Sequence, residues 1–105
     1  MRFTSFLEDG NLTVALTGEI DHHCAKQYIQ AIDAKVEAYT PAICILDFSD
    51  VTFIDSSGVA VVINALRAMK RMDGHLLLTG IGAQPMKVFR AAGVDKIIEI
   101  REVTI

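Results

Sequence analysis

The stretch that decides the fold lies between residues 43 and 78. It opens on Ile43-Cys44-Ile45-Leu46 and continues as Asp47-Phe48-Ser49-Asp50-Val51-Thr52-Phe53-Ile54-Asp55-Ser56-Ser57-Gly58. After those residues, Val59, Val62, Ile63, Leu66 and Met69 recur at the three-to-four-residue spacing of one helix face, and Leu76-Leu77-Leu78 closes the stretch. A continuous apolar run such as 43–46 or 76–78 is the mark of a strand covered on both faces. Strand, helix, strand in that order implies two parallel strands joined by a right-handed crossover.

The same unit extends in both directions. Upstream, Leu12, Val14 and Leu16 alternate with Thr13, Ala15 and Thr17, the period of two of a strand. Residues 3–7 read as a short edge strand. Glu8-Asp9-Gly10-Asn11 supplies the turn of a hairpin between the two. Asp21 reads as a helix N-cap, with Ala25, Tyr28, Ile29, Ile32 and Val36 on one face behind it. Downstream, Pro85 suits the first turn of a third helix, Val88, Phe89 and Ala92 face inward, and Gly93 stops it. Ile97, Ile98 and Ile100 predict a last strand. The predicted helices are 21–39, 57–72 and 84–92. The fold class is α/β: a mostly parallel sheet with helices in successive β-α units and an N-terminal β-hairpin. Such units bring every helix N-terminus to one edge of the sheet, so loops 18–21, 47–57 and 79–84 meet there, and a functional site is expected among them.

Composition narrows the function. The chain has 105 residues, 51% of them hydrophobic, enough for one domain with a core of its own. Ten Lys and Arg against 13 Asp and Glu leave a net charge of -3. Nucleic-acid binding needs clustered cations to neutralise phosphates, and Arg67, Lys70 and Arg71 read only as the solvated end of a helix. No apolar run approaches the ~20 residues of a membrane span. Met1-Arg2-Phe3-Thr4-Ser5 leads too soon into Glu8 to be a signal peptide. Cys24 and Cys44 are expected reduced and packed as small apolar residues, in the cytoplasm.

The loop before the second helix is the informative one. Asp55, Ser56 and Ser57 can cap free amides in the helix's first turn. Two serines and a glycine exceed what one cap requires. A phosphate carried there would also meet free amides and the positive end of the helix dipole. Gly58 would let a partner's backbone come close. Catalysis is poorly supported: the loop lacks a Gly-x-Ser-x-Gly elbow, His75 falls at the opposite edge, and no carboxylate is arranged to orient His22 or His23. Asp21-His22-His23-Cys24 is no metal cluster, because consecutive residues at a helix start point in different directions. Thr79-Gly80-Ile81-Gly82-Ala83 lacks the Lys-Ser/Thr pair of a phosphate loop. Asp47 and Asp50 lack the acidic pair after the first parallel strand that a response regulator uses to hold magnesium.

Thr17-Gly18-Glu19-Ile20-Asp21-His22-His23, the run 47–59 and the pair Gly74-His75-Leu76-Leu77-Leu78 with Val88-Phe89-Arg90-Ala91-Ala92-Gly93-Val94 together resemble the anti-sigma factor antagonists with a STAS domain. The resemblance covers the chain in order as a single domain, 1–105, and the Asp-His-His run looks most like the sporulation type. It implies a STAS fold and a non-enzymatic switch without cofactor. It also implies that Ser57 is the phosphorylated residue, and that Asp21, His22, Ile54, Asp55, Ser56, Ser57, Gly58 and Gly82 bind the partner. That partner would be an anti-sigma factor with serine kinase activity. The kinase holds the ATP or ADP itself, binds the unphosphorylated antagonist and so frees the sigma factor. Phosphorylation of Ser57 abolishes binding, and a metal-dependent serine phosphatase resets the switch. The antagonist itself is expected to be a monomer. Ala60-Val61 departs from relatives that often carry Gly or Leu there, and a terminal helix seen in some relatives is expected to be absent. The alternatives are a STAS signalling or scaffold module with another partner, and a STAS domain that binds a small molecule or nucleotide.

Overall fold

The computed structural model describes residues 2–101. The elements are β1 (Arg2–Glu8), β2 (Asn11–Ile20), α1 (Ala25–Tyr39), β3 (Ile43–Ile54), α2 (Ser56–Arg71), β4 (His75–Thr79), α3 (Ala83–Ala91), α4 (Val94–Ile97) and β5 (Glu99–Arg101). They form one sheet in the order β1-β2-β3-β4-β5, antiparallel between β1 and β2 and parallel from there on. The hairpin closes at Asp9 and Gly10, which hold φ of 53° and 80°. Two consecutive left-handed residues match the twist of the flanking strands, and Glu8 pairs with Asn11 across them.

Neighbouring strands follow one another in sequence, so right-handed crossovers put the helices on the same face of the sheet. Burial agrees. Leu12, Val14, Leu16, Cys44, Leu46, Phe48, Leu76 and Leu78 are all buried in one cluster with Tyr28, Ile32 and Val36 of α1, Val61, Val62, Ala65 and Met69 of α2, and Phe89 of α3. Phe48 and Phe89 meet edge to face with centroids 5.4 Å apart, a favoured aromatic geometry. The Tyr28 hydroxyl donates to the Thr17 carbonyl at 2.9 Å, which satisfies its polar tip inside the core.

Four expectations are corrected. Ile43 and Ile45 are only half-buried and alternate with buried Cys44 and Leu46, so β3 is covered on one face rather than two. The segment 47–54, read as loop, is strand: β3 runs to Ile54, paired with β2 through register shifts near Thr17 and Gly18. Its polar residues Asp47, Ser49 and Asp50 disguise Phe48, Val51 and Ile54, which are buried. The helix assigned as α1 begins at Ala25 instead of residue 21, after a turn through 22–24. Ile97 belongs to the short α4 and is 54% exposed, so the last strand starts only at Glu99. Gly93, at φ 78°, breaks the chain between α3 and α4. The expectation about a terminal helix falls on residues 102–105, outside the described residues.

Two predictions follow from packing. A Cβ at Gly58 would lie 2.8 Å from the Ile54 Cβ, a contact that backbone or core must move to relieve. Gly58→Ala gains roughly 1 kcal/mol of helix propensity, but the overpacking costs about 1–3 kcal/mol. The urea midpoint should fall with the m-value unchanged. The second concerns Cys44, which is fully buried and whose thiol burial pushes up from 9.0 to about 12. Because the folded value is raised, its contribution is intact below the unfolded value of about 9 and is lost as pH rises towards 12. Denaturant titrations from pH 8 upward should show this decline in the natural chain and a shallower one in Cys44→Ala.

Candidate functional site

The site grows from the junction of β3 and α2. One residue, Asp55, separates them, in extended conformation at φ -106° and ψ -167°. That conformation suits a cap, and the Asp55 Oδ1 accepts the Ser57 backbone N–H at 2.7 Å. The Asp55 carbonyl accepts the Gly58 N–H at 3.0 Å. The cap is therefore Asp55, and the serines occupy the first turn of α2. Ser56 is exposed and Ser57 half-buried. Gly58 is buried against Ile54, and a side chain there would strike the Ile54 side chain.

The neighbouring loops are tied to this junction. The Asp55 N–H donates to the Ile20 carbonyl at 3.2 Å, joining it to the end of β2. On the other side, Gln84 Nε2 donates to the Ile54 carbonyl and Gln84 Oε1 accepts the Ile54 N–H, both at 2.9 Å. The primary amide imitates a neighbouring strand just where β4 has ended. Sequence reading saw Gln84 only as a helix start. No local pattern marks a side chain that bonds a backbone thirty residues away.

Asp21 and His22 reach the site, by different means than expected. Asp21 caps the opening turn rather than the helix assigned as α1: its Oδ1 accepts the His23 N–H at 2.9 Å and its carbonyl accepts the Ala25 N–H at 2.9 Å. The N-cap position of α1 itself is Cys24, which provides no side-chain cap. Desolvation alone would raise the Asp21 carboxyl, but the His23 N–H, the Cys24 thiol and amide, and the His23 ring together hold it below the usual carboxylate value. His22 Nδ1 lies 4.0 Å from Asp55 Oδ2, and its ring rests on His23 with centroids 4.0 Å apart.

Ile54 is fully buried and enters the site only through its backbone, held by Gln84. Gly82 is exposed at the N-cap of α3, where its carbonyl accepts the Met86 N–H at 3.0 Å. Its link to Ser57 runs through Gln84 and Ile54. A shallow apolar groove of about 440 Å³ lies between α2 and α3, lined by Ser56, Val59, Lys87, Val88, Ala91 and Ala92. His75 is remote, at the start of β4, and hydrogen-bonds Glu99 on β5 at 3.0 Å. Among the described residues no group of three His, Cys, Asp or Glu side chains is placed to hold a metal, and no helix is long and apolar enough to cross a membrane.

The site is thus an exposed Ser56 and a half-buried Ser57 at a capped helix N-terminus, with the end of β2 and the start of α3 tied to it. Residues 7–104 match the STAS domain. The chain is 30% identical over 83 residues to the anti-sigma F factor antagonist of Lysinibacillus sphaericus, covering 79% of this chain and 71% of that protein. It is 25% identical over 93 residues to the anti-sigma-B factor antagonist of Listeria monocytogenes, covering 89% and 81%. The solved structure of the Bacillus cell-fate determinant SpoIIAA in its phosphorylated form superposes with a TM-score of 0.76 at 25% identity, covering 98% of this chain and 92% of that one. The family match spans nearly the whole chain, and the chain belongs to the STAS domain family.

Proposed function

We propose that this chain is a non-catalytic anti-sigma factor antagonist of the cytoplasm, a single domain switched off by phosphorylation of Ser57. The observation that carries this reading is the half-exposed Ser57 in the first turn of α2, its amide held by Asp55. The chain's similarity to proteins named as antagonists of anti-sigma factors supports the partner. In its unmodified form the protein binds an anti-sigma factor that is also a serine kinase, and the sigma factor is released. The kinase transfers the γ-phosphoryl of its own ATP to the Ser57 hydroxyl, leaving ADP, and a serine phosphatase reverses the change. Asp21, His22, Asp55, Ser56, Ser57 and Gly82 form the binding rim, with Ile54 and Gly58 as its support.

Magnitudes decide where the switch acts. A phosphate adds roughly -1.5 to -2 charge at neutral pH. At a helix N-terminus that charge is favourable by about 0.3–1 kcal/mol, so the fold tolerates it. Under a partner the same group loses water without a counter-charge prepared on the partner's side, at a cost of several kcal/mol. A hundredfold loss of affinity needs only about 2.8 kcal/mol. The effect on binding exceeds the effect on folding.

The test is incubation with the anti-sigma kinase encoded in the same genome and ATP, followed by peptide mass mapping and binding measurements. Phosphate should appear on Ser57 alone, and the modified protein should bind at least about a hundredfold more weakly. Phosphate on Ser56, or unchanged affinity, sinks the reading. Ser57→Ala should stay bound to the kinase and lose under about 0.5 kcal/mol of stability, since the cap belongs to Asp55. Asp21→Asn keeps the hydrogen-bonding shape and removes the charge. It should fold normally and bind up to roughly tenfold more weakly, a change of about 1.4 kcal/mol. Equal affinity would remove Asp21 from the rim.

A further inference from the structure

We propose that the start of α1 and the turn before it read the phosphate: Lys26 and His22 fold over a phosphate carried on Ser57 and hold it within the protein's own surface. This inference rests on the assignment of Ser57 as the modified residue and adds what receives the charge.

The register between α1 and α2 carries the argument. Both helices cross back between parallel strands on the same sheet face, so they run side by side in the same direction. Asn64 Nδ2 of α2 donates to Asp33 Oδ1 of α1 at 2.9 Å, which pins one level of the pair. Seven residues are about two helical turns and return to nearly the same stripe. Seven residues before Asn64 stands Ser57, and seven before Asp33 stands Lys26. The two therefore lie at one level on facing stripes. One further turn back along the α1 stripe comes His22, and the hydrogen bond from Ala25 N–H to the Asp21 carbonyl continues the helical path to that point. The 4.0 Å separation of His22 Nδ1 and Asp55 Oδ2 places the ring beside the cap of Ser57 independently of this counting.

The charges fit the task. Lys26 is exposed and His22 has 71% of its side chain exposed, so both are free to swing towards an added group. The groups facing His22 are Asp55 across the junction and the His23 ring beside it, while the Asp21 carboxylate is turned to the His23 amide. A phosphate beside Asp55 brings two anions together, and a cation between them relieves the repulsion. Lys26 and His22 bring side-chain N–H donors suited to phosphate oxygens. The modified serine thus keeps its phosphate satisfied within the chain instead of offering it to a partner's cations.

Phosphoserine incorporated at position 57 during synthesis tests the contact without any kinase. The phosphate's second titration is followed by 31P NMR in the full chain, in Lys26→Gln, in His22→Gln, in the double variant and in Lys70→Gln at the far end of α2. Loss of each reader should raise the titration midpoint, by roughly half a unit for Lys26→Gln and further for the double variant, and Lys70→Gln should leave it in place. Equal midpoints in the natural chain and the double variant, or an equal rise in Lys70→Gln, overturn the proposal. A kinase that leaves Ser57 unmodified would defeat the function proposed above while this titration still decides the contact.

Discussion

A single residue joins β3 to α2, and the tightness of that junction governs the site. Ile54 ends the strand, Asp55 turns the chain, and Ser56 already lies in the helix. So short a connection works only because Gly58 has no side chain to strike Ile54 and because the Asp55 carboxylate satisfies an amide that the helix leaves free. Gln84 then takes both backbone groups of Ile54, which have no strand partner at that level once β4 has stopped at Thr79. Both serines are thereby fixed in the first turn of α2, beside the end of β2 and the start of α3.

Rigidity has a consequence for signalling. A switch that depended on remodelling the loop would have to break the Ile54–Gln84 pair, the cap and the core contact of Ile54 together. Electrostatics needs none of that. An anion at the head of α2 leaves the packing alone and changes what the surface can be pressed against.

The one-sided sheet explains why the site lies where it does. All the parallel crossovers return on one face, so the strand order never reverses and no crevice opens at a switch point between strands. What the edge offers is a surface of loops and helix starts, with a shallow groove beside Ser56. Such a surface suits a protein partner better than an enclosed small ligand.

Much of this was legible in the sequence. The strand and helix order, the hairpin turn, and the limits of α2 and α3 to within a residue followed from periodicity and from Gly, Pro and Asp positions, because those signals act over a few neighbouring residues. So did the place of Ser57 in the first turn of α2. Other features were decided only by tertiary structure. The run 47–54 looked like loop because half its residues are polar, and pairing with β2 made it strand. Ile43 and Ile45 read as doubly buried, yet burial of a second face depends on what packs there, which no local pattern records. Ile97 looked like strand because apolar neighbours carry no sign of a helix as short as α4. The Gln84 clamp and the His22–Asp55 approach join residues about thirty apart in sequence. Sequence by itself determined which segments form elements and where their ends can be capped. Only the packed sheet determined which side chains from distant segments meet, since that depends on register and crossing geometry and not on any property of the segments alone.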